Sequence, residues 1–224
     1  MTMSDGGITA VRARLAPGRL LPLGTAADGA WLAERAAREV LLRAASAVRG
    51  VVPGPLRIGP GAEAAGPPPE GVPPGGLPPG PLRIAAEFAA VSGRPLPAAA
   101  GELREVLHAA AEGLDLAVAE VDLRVTELLD AAPAGEPAPA APEPGRTAPA
   151  TDDPVALAAL RVPGVAGIAD ALGPPVHRMP GAVRVECAVT AGRRPVEVAR
   201  AVRAAVAEAV PEGTSVTVLV SELR

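Results

Sequence analysis

Lysine, asparagine, glutamine and tyrosine are absent from the 224 residues, and tryptophan and phenylalanine occur once each, as Trp31 and Phe88. Three of the four missing types, lysine, asparagine and tyrosine, have AT-rich codons, and their absence is read as the mark of a GC-rich genome. Arginine then stands wherever a cation is needed, and its usual reading as a bidentate carboxylate or phosphate binder loses force. Two aromatics are too few for a platform that stacks nucleic-acid bases. A single cysteine, Cys187, excludes an internal disulfide framework and fits a reducing compartment. No apolar run reaches the roughly 18 residues of a membrane-spanning helix. Arg12, Arg14 and Arg19 interrupt the opening residues before the hydrophobic region of a signal peptide can form. The expectation is a cytoplasmic chain without direct membrane insertion, reaching a membrane only through a partner.

Catalytic and metal-binding groups are equally sparse. His108 and His177 are the only histidines. Neither has a counterpart in the repeat described below, and a metal site needs three or four ligands with an ordered second shell. Cys187 falls on the apolar face of a strand, where a thiol behaves as a small hydrophobe. No cofactor, no metal and no catalytic group is expected, so an enzyme is the losing class.

What the chain does contain is a repeat. "VDLRVTEL" (residues 121–128) returns 95 positions later as "VTVLVSEL" (216–223). Val125 matches Val220, Thr126 matches Ser221, Glu127 matches Glu222 and Leu128 matches Leu223. Upstream of each copy the same elements recur in order. An Arg-Pro pair (Arg94-Pro95, Arg194-Pro195) opens a helical pattern in both, with Val198, Val202, Val206 and Val210 in one and Ala99, Leu103, Val106, Leu107, Ala110 and Leu114 in the other. Before these lie "GPLRIAAEFAAV" and "GAVRVECAVTA", alternating as half-buried strands do, and before those the shorter strands "PLRI" (55–58) and "PVHRM" (175–179), the latter closed by a Pro180-Gly181 turn. A helix opens each copy. The first is "DGAWLAERAAREVLLRAASAV", N-capped by Asp28, with Leu32, Ala36, Val40, Leu41, Ala44 and Val48 as its buried stripe; the second starts at Asp153-Pro154.

The predicted fold is α+β: two tandem two-layer helix/sheet domains, each helix-strand-strand-helix-strand. The predicted organisation is an N-terminal extension 1–28, a first domain 29–130, a disordered Pro/Ala-rich linker 131–152 and a second domain 153–224. Within the first domain, the Pro/Gly-rich insertion 59–80 has no periodicity and reads as a disordered or extended loop.

Copy two carries a resemblance. "LRVPGVAGI" (160–168), "VRVECAV" (183–189), "RRPVEVARAVRAAVAEAV" (193–210) and the closing strand are similar, in that order, to the alkaline shock protein family of envelope stress proteins. Copy one is more diverged and reads "VRGVVPG" at the corner. The opening "GRLLPLG" with "DGAWLAERAA" is also similar to an actinobacterial family of unknown function named after a nucleopolyhedrovirus protein. The alkaline shock resemblance implies a non-catalytic scaffold or interaction protein linked to cell-envelope homeostasis or stress, gathered near the membrane by an anchored protein partner. A nucleic-acid-binding or small-ligand-binding module is the alternative. The basic stripe that nucleic acid wants is missing, since residues 153–224 hold eight arginines against seven carboxylates and residues 29–130 hold nine against thirteen. Those opposite balances favour self-association or pairing of the two domains. The expected interface is the solvent side of the sheets: Arg83, Glu87 and Arg124 in copy one, Arg184 and Glu186 in copy two. Trp31, one step off the first helix's apolar stripe, is either a staple packing residues 20–24 onto the domain or an interface anchor. Glu127 and Glu222 are read as closing their strands.

Overall fold

A computed structural model describes residues 18–62, 71–131 and 151–224. The linker 131–152 lies outside the described residues except at its two ends. The chain divides into two compact units. One holds Pro73–Gly76 and, of the described residues, 18–36 and 151–224; the other holds the described residues between Ala37 and Val72 and from Leu77 to 131.

The central unit follows the helix-strand-strand-helix-strand order read from the sequence. Helix α1 (Glu34–Ser46) leads into β3 (Val51–Pro60), β4 (Leu82–Val91), α2 (Leu96–Gly113) and β5 (Val118–Leu129). Strand β4 lies in the middle, antiparallel to β3 and parallel to β5. A parallel neighbour cannot be reached by a tight turn, so α2 makes the crossover. Pro95 stands at the entry to that helix, where its missing amide costs no hydrogen bond. Alternation along β4 buries Leu82, Ile84, Ala86, Phe88 and Ala90, and Leu103, Leu107 and Ala111 of α2 and Leu56 and Ile58 of β3 are buried with them. That single-sided core leaves the opposite face of the sheet to charged residues.

The other unit is built around β8 (Ala182–Val189) and β9 (Ser215–Leu223), parallel strands joined by α4 (Pro195–Glu208). Its first helix, α3 (Pro154–Leu160), is capped as expected: the Asp153 carboxylate accepts from the Val155 amide at 2.9 Å. The order departs from the prediction by one strand. The "VAGI" of the corner is β6 (Val165–Ile168), and β7 (Val176–Met179) follows it. Both pair antiparallel with β8, on one edge and end to end, with the seam at Glu186.

The larger departure concerns the opening residues. The segment read as an extension and a helix start is a hairpin, β1 (Leu20–Leu23) and β2 (Ala30–Ala33), and the helix begins only at Glu34. Strand β2 adds parallel to β9, with Trp31 opposite Leu219 and Leu32 opposite Val220. A boundary at residue 29 is therefore corrected: residues 18–36 complete the sheet of the second copy. Asp28 is no helix cap either. It closes the 3-10 turn Ala26–Asp28 by accepting from the Thr25 amide at 2.7 Å and the Thr25 hydroxyl at 2.9 Å. Gly29 follows at φ 57, and a Cβ there would stand 3.0 Å from the Val216 carbonyl, so only glycine lets the turn approach β9 this closely. The described parts of the Pro/Gly-rich insertion 59–80 agree with the extended alternative at two places. Strand β3 runs on to Pro60, and Pro73–Gly76 docks on β1, with the Leu20 amide donating to the Gly75 carbonyl at 3.0 Å. Residues 63–70 lie outside the described residues.

Arg200 of α4 clamps the hairpin turn through both Asp28 oxygens, at 2.7 and 3.0 Å, and Arg203 donates to the Ala27 carbonyl at 2.6 Å. The Arg200 hydrogen bonds hold the Asp28 carboxyl well below its ordinary range. A carboxyl with a lowered folded pKa contributes stability that is present above its unfolded value of 3.8 and lost as pH falls through the folded one. Asp28→Asn is expected to cost about 1 kcal/mol at neutral pH, because the bidentate pair is partly solvated. Urea denaturation at pH 7 checks it, and a variant as stable as wild type would remove the clamp from the account.

Candidate interaction surface

The two repeated strands end in the same irregularity. On β5 the register steps from Val125 (opposite Phe88) to Glu127 (opposite Ala89), so Thr126 is the extra residue of a bulge. On β9 it steps from Val220 (opposite Cys187) to Glu222 (opposite Ala188), leaving Ser221 as the extra residue. These are the matched columns of the repeat, and a small hydroxyl residue suits a position that leaves the ladder. The Thr126 hydroxyl reaches back to the Phe88 carbonyl at 3.3 Å. Beyond the bulge, Glu222 pairs with Arg224 at 2.6 Å, while Glu127 is exposed.

Between the crossover and the bulge, alternation turns the amide and carbonyl of every second residue of the last strand away from the middle strand. On β9 that outer edge is used: the Val218 amide donates to the Gly29 carbonyl at 2.9 Å and β2 lies alongside. On β5 the matching residues are Val121, Leu123 and Val125. No strand pairs with their edge among the described residues. The Val121 carbonyl is met by the Arg104 guanidinium of α2 at 3.5 Å, the long limit of a hydrogen bond. Val121 is buried, Leu123 and Val125 are half-buried, and Leu128 beyond the bulge is 71% exposed.

The helix-free face of the same sheet gathers three of the predicted interface residues. Arg83 binds Asp122 and lies 3.7 Å from Glu120; Arg124 lies 3.6 Å from Glu87. Strand register places them there, with Arg83 opposite Glu120 and Glu87 opposite Arg124. The Asp122 carboxylate raises the Arg83 pKa further above its ordinary value, so this arginine is a permanent cation. Asp122 and Glu120 complete the row; neither is among the residues expected from the sequence, although Arg124 on the same strand is, and only the register of β5 against β4 brings them to Arg83.

Copy two does not mirror this face. Arg184 is half-buried, and Glu186 is 2% exposed rather than solvent-facing. The Glu186 carboxylate accepts from the backbone amides of Ala171 and Leu172 at 2.9–3.2 Å, fastening the loop between β6 and β7 over its own seam. Burial pushes its pKa up, and the nearby Asp170 adds to this. The loop amides and the neighbouring Ser221, whose hydroxyl makes no well-formed hydrogen bond, oppose that rise. The loop Asp170–Pro175 lines an open recess of about 450 Å³.

Trp31 stands in strand β2 rather than in a helix, opposite Pro22 of β1, and is 4% exposed: it lies against residues 20–24, in keeping with the staple alternative, and presents no aromatic anchor at the surface. Cys187 is fully buried, and its thiol is pushed up to about 12 by burial, which leaves it protonated and inert. His108 lies on α2 and His177 on β7. Among the described residues no group of three or more His, Cys, Asp or Glu converges as metal ligands, and no helix is long and apolar enough to cross a membrane. Compared with models of protein families, with curated proteins and with solved structures, the chain finds no match.

Proposed function

We propose that this chain is a non-catalytic interaction protein that acts through the charged face of the β3-β4-β5 sheet. The observation that carries the reading is the row of Arg83, Glu87, Glu120, Asp122 and Arg124, held in register on a helix-free face. Both signs interleave there, so such a surface reads a partner by charge pattern rather than by net charge. The two tandem copies divide the work in this reading. One sheet is completed by the chain's own hairpin, and the other keeps its face and edge for partners. The resemblance to the alkaline shock family supplies the setting, a scaffold in cell-envelope homeostasis that a membrane-anchored protein recruits from the cytoplasm.

The test is native co-purification of the tagged chain, with membrane and soluble fractions kept apart, for wild type and for the double variant Arg83→Glu, Glu87→Arg. A stoichiometric partner held by wild type is expected to fall at least about tenfold in the variant, since reversing charges in a complementary patch places like charges opposite each other. Equal retention by both proteins would remove this face from the mechanism. A partner found only in the soluble fraction would remove the envelope setting and leave the interaction role.

A further inference from the structure

We propose that the outer edge of β5 pairs with β5 of a second copy of this chain, antiparallel and centred on Leu123, joining two three-stranded sheets into one of six strands. The first support is the internal repeat. The matching edge of β9 is completed by a strand along Val218–Val220, whereas along Leu123–Val125 of β5 no strand lies among the described residues. An edge strand of 12 residues is a template for further pairing unless something blunts it. Among the described residues the group that meets it is the Arg104 guanidinium, at a distance where the bond is weak and easily exchanged.

The second support is that β5 is self-complementary in only one nearby register. Centred on Leu123, Asp122 of each strand faces Arg124 of the other, Val121 faces Val125, and Leu123 faces itself. Val121, Leu123 and Val125 are the residues whose backbone groups point outward, so they form the hydrogen-bonded pairs of the new ladder. Asp122 and Arg124 fall on the non-hydrogen-bonded pairs, where side chains lie closest. Moving the centre by one residue toward either end sets Asp122 against Asp122 or Arg124 against Arg124. In the favoured register the charged face becomes one continuous row, Arg83–Asp122 of one copy followed by Arg124–Glu87 of the other. The half-buried Leu123 and Val125 are covered on their open side.

This deepens the interaction reading and rests on it, by naming the chain itself as one partner of the same sheet. Sedimentation equilibrium of the full chain is expected to show a dimer. Asp122→Arg and Arg124→Asp are each expected to weaken it by at least about tenfold, because both symmetric pairs turn from attraction to repulsion. Mixing the two variants is expected to restore a heterodimer, since each then supplies the charge the other has reversed. Independently of any variant, amide exchange at Leu123 and Val125 of the wild-type chain slows as its concentration rises. A wild-type chain that stays monomeric, single variants that dimerise as wild type does, or exchange that ignores concentration overturns the proposal. A monomer that still holds a distinct partner in co-purification would sink the self-pairing and leave the interaction reading standing; a dimer that holds none would do the reverse.

Discussion

A fragment starting at residue 153, where the composition marks the second domain, is expected not to fold by itself. It lacks the hairpin that covers β9, and with it Leu20, Leu21, Leu23, Trp31 and Leu32, all almost fully buried. At about 1.5–3 kcal/mol for each large apolar side chain, the loss is comparable with the roughly 5–15 kcal/mol that stabilises a whole domain. The fragment would also bare the hydrogen-bonding edge of β9, an invitation to aggregate. Fusing residues 18–33 ahead of residue 153 through a flexible linker is expected to restore a cooperative melt, because β2 needs only to reach the β9 edge in parallel. Circular dichroism and thermal denaturation of the two fragments decide the matter. A cooperative transition in the short fragment, within a few degrees of the fused one, would mean the hairpin is an accessory to that unit and not part of it.

Replacing Glu186 by alanine is expected to cost about 2–4 kcal/mol, because the amides of Ala171 and Leu172 lose their acceptor in a buried place. Glutamine keeps one acceptor oxygen and is expected to cost less, about 1 kcal/mol. The two variants also separate in their pH dependence. Glu186 has a folded pKa above its ordinary 4.5, so the folded state binds its proton more readily than the unfolded chain. Its contribution is therefore largest below 4.5 and is lost as pH rises through the folded value. Asp28 and Asp153 act the other way, their stabilisation declining only as pH falls below 3.8. Wild type is thus expected to gain stability relative to Glu186→Gln as pH falls from neutrality toward 4.5, and the difference is read from urea midpoints across that range. Parallel pH profiles for the two proteins would show that burial of this carboxyl carries no free-energy cost.

The helices and the long strands were legible because their signals are local. Valine at four-residue spacing in α4, proline at the entry of α2 and α4, and alternation along β4 each state their own conformation. The bulge was present as well, written as the Thr126/Ser221 column of the repeat, although only the strand registers reveal what that column does. Strand β2 was hidden for two reasons. Its four residues are buried on both faces and so do not alternate, and they run into α1 without a break, so "AWLAERAA" has helical periodicity throughout. The face of Glu186 was legible and its burial was not, because alternation says which way a side chain points and nothing about the loop that folds over it.

By itself, then, the sequence determined the helix-strand-strand-helix-strand order of the central unit and the inward face of most of those elements, since propensity, capping and periodicity act over a few residues. Which sheet edge is completed, and by what, was decided only in three dimensions. A strand's outer amides and carbonyls must find partners, and on β9 those partners come from a hairpin nearly two hundred residues earlier in the chain.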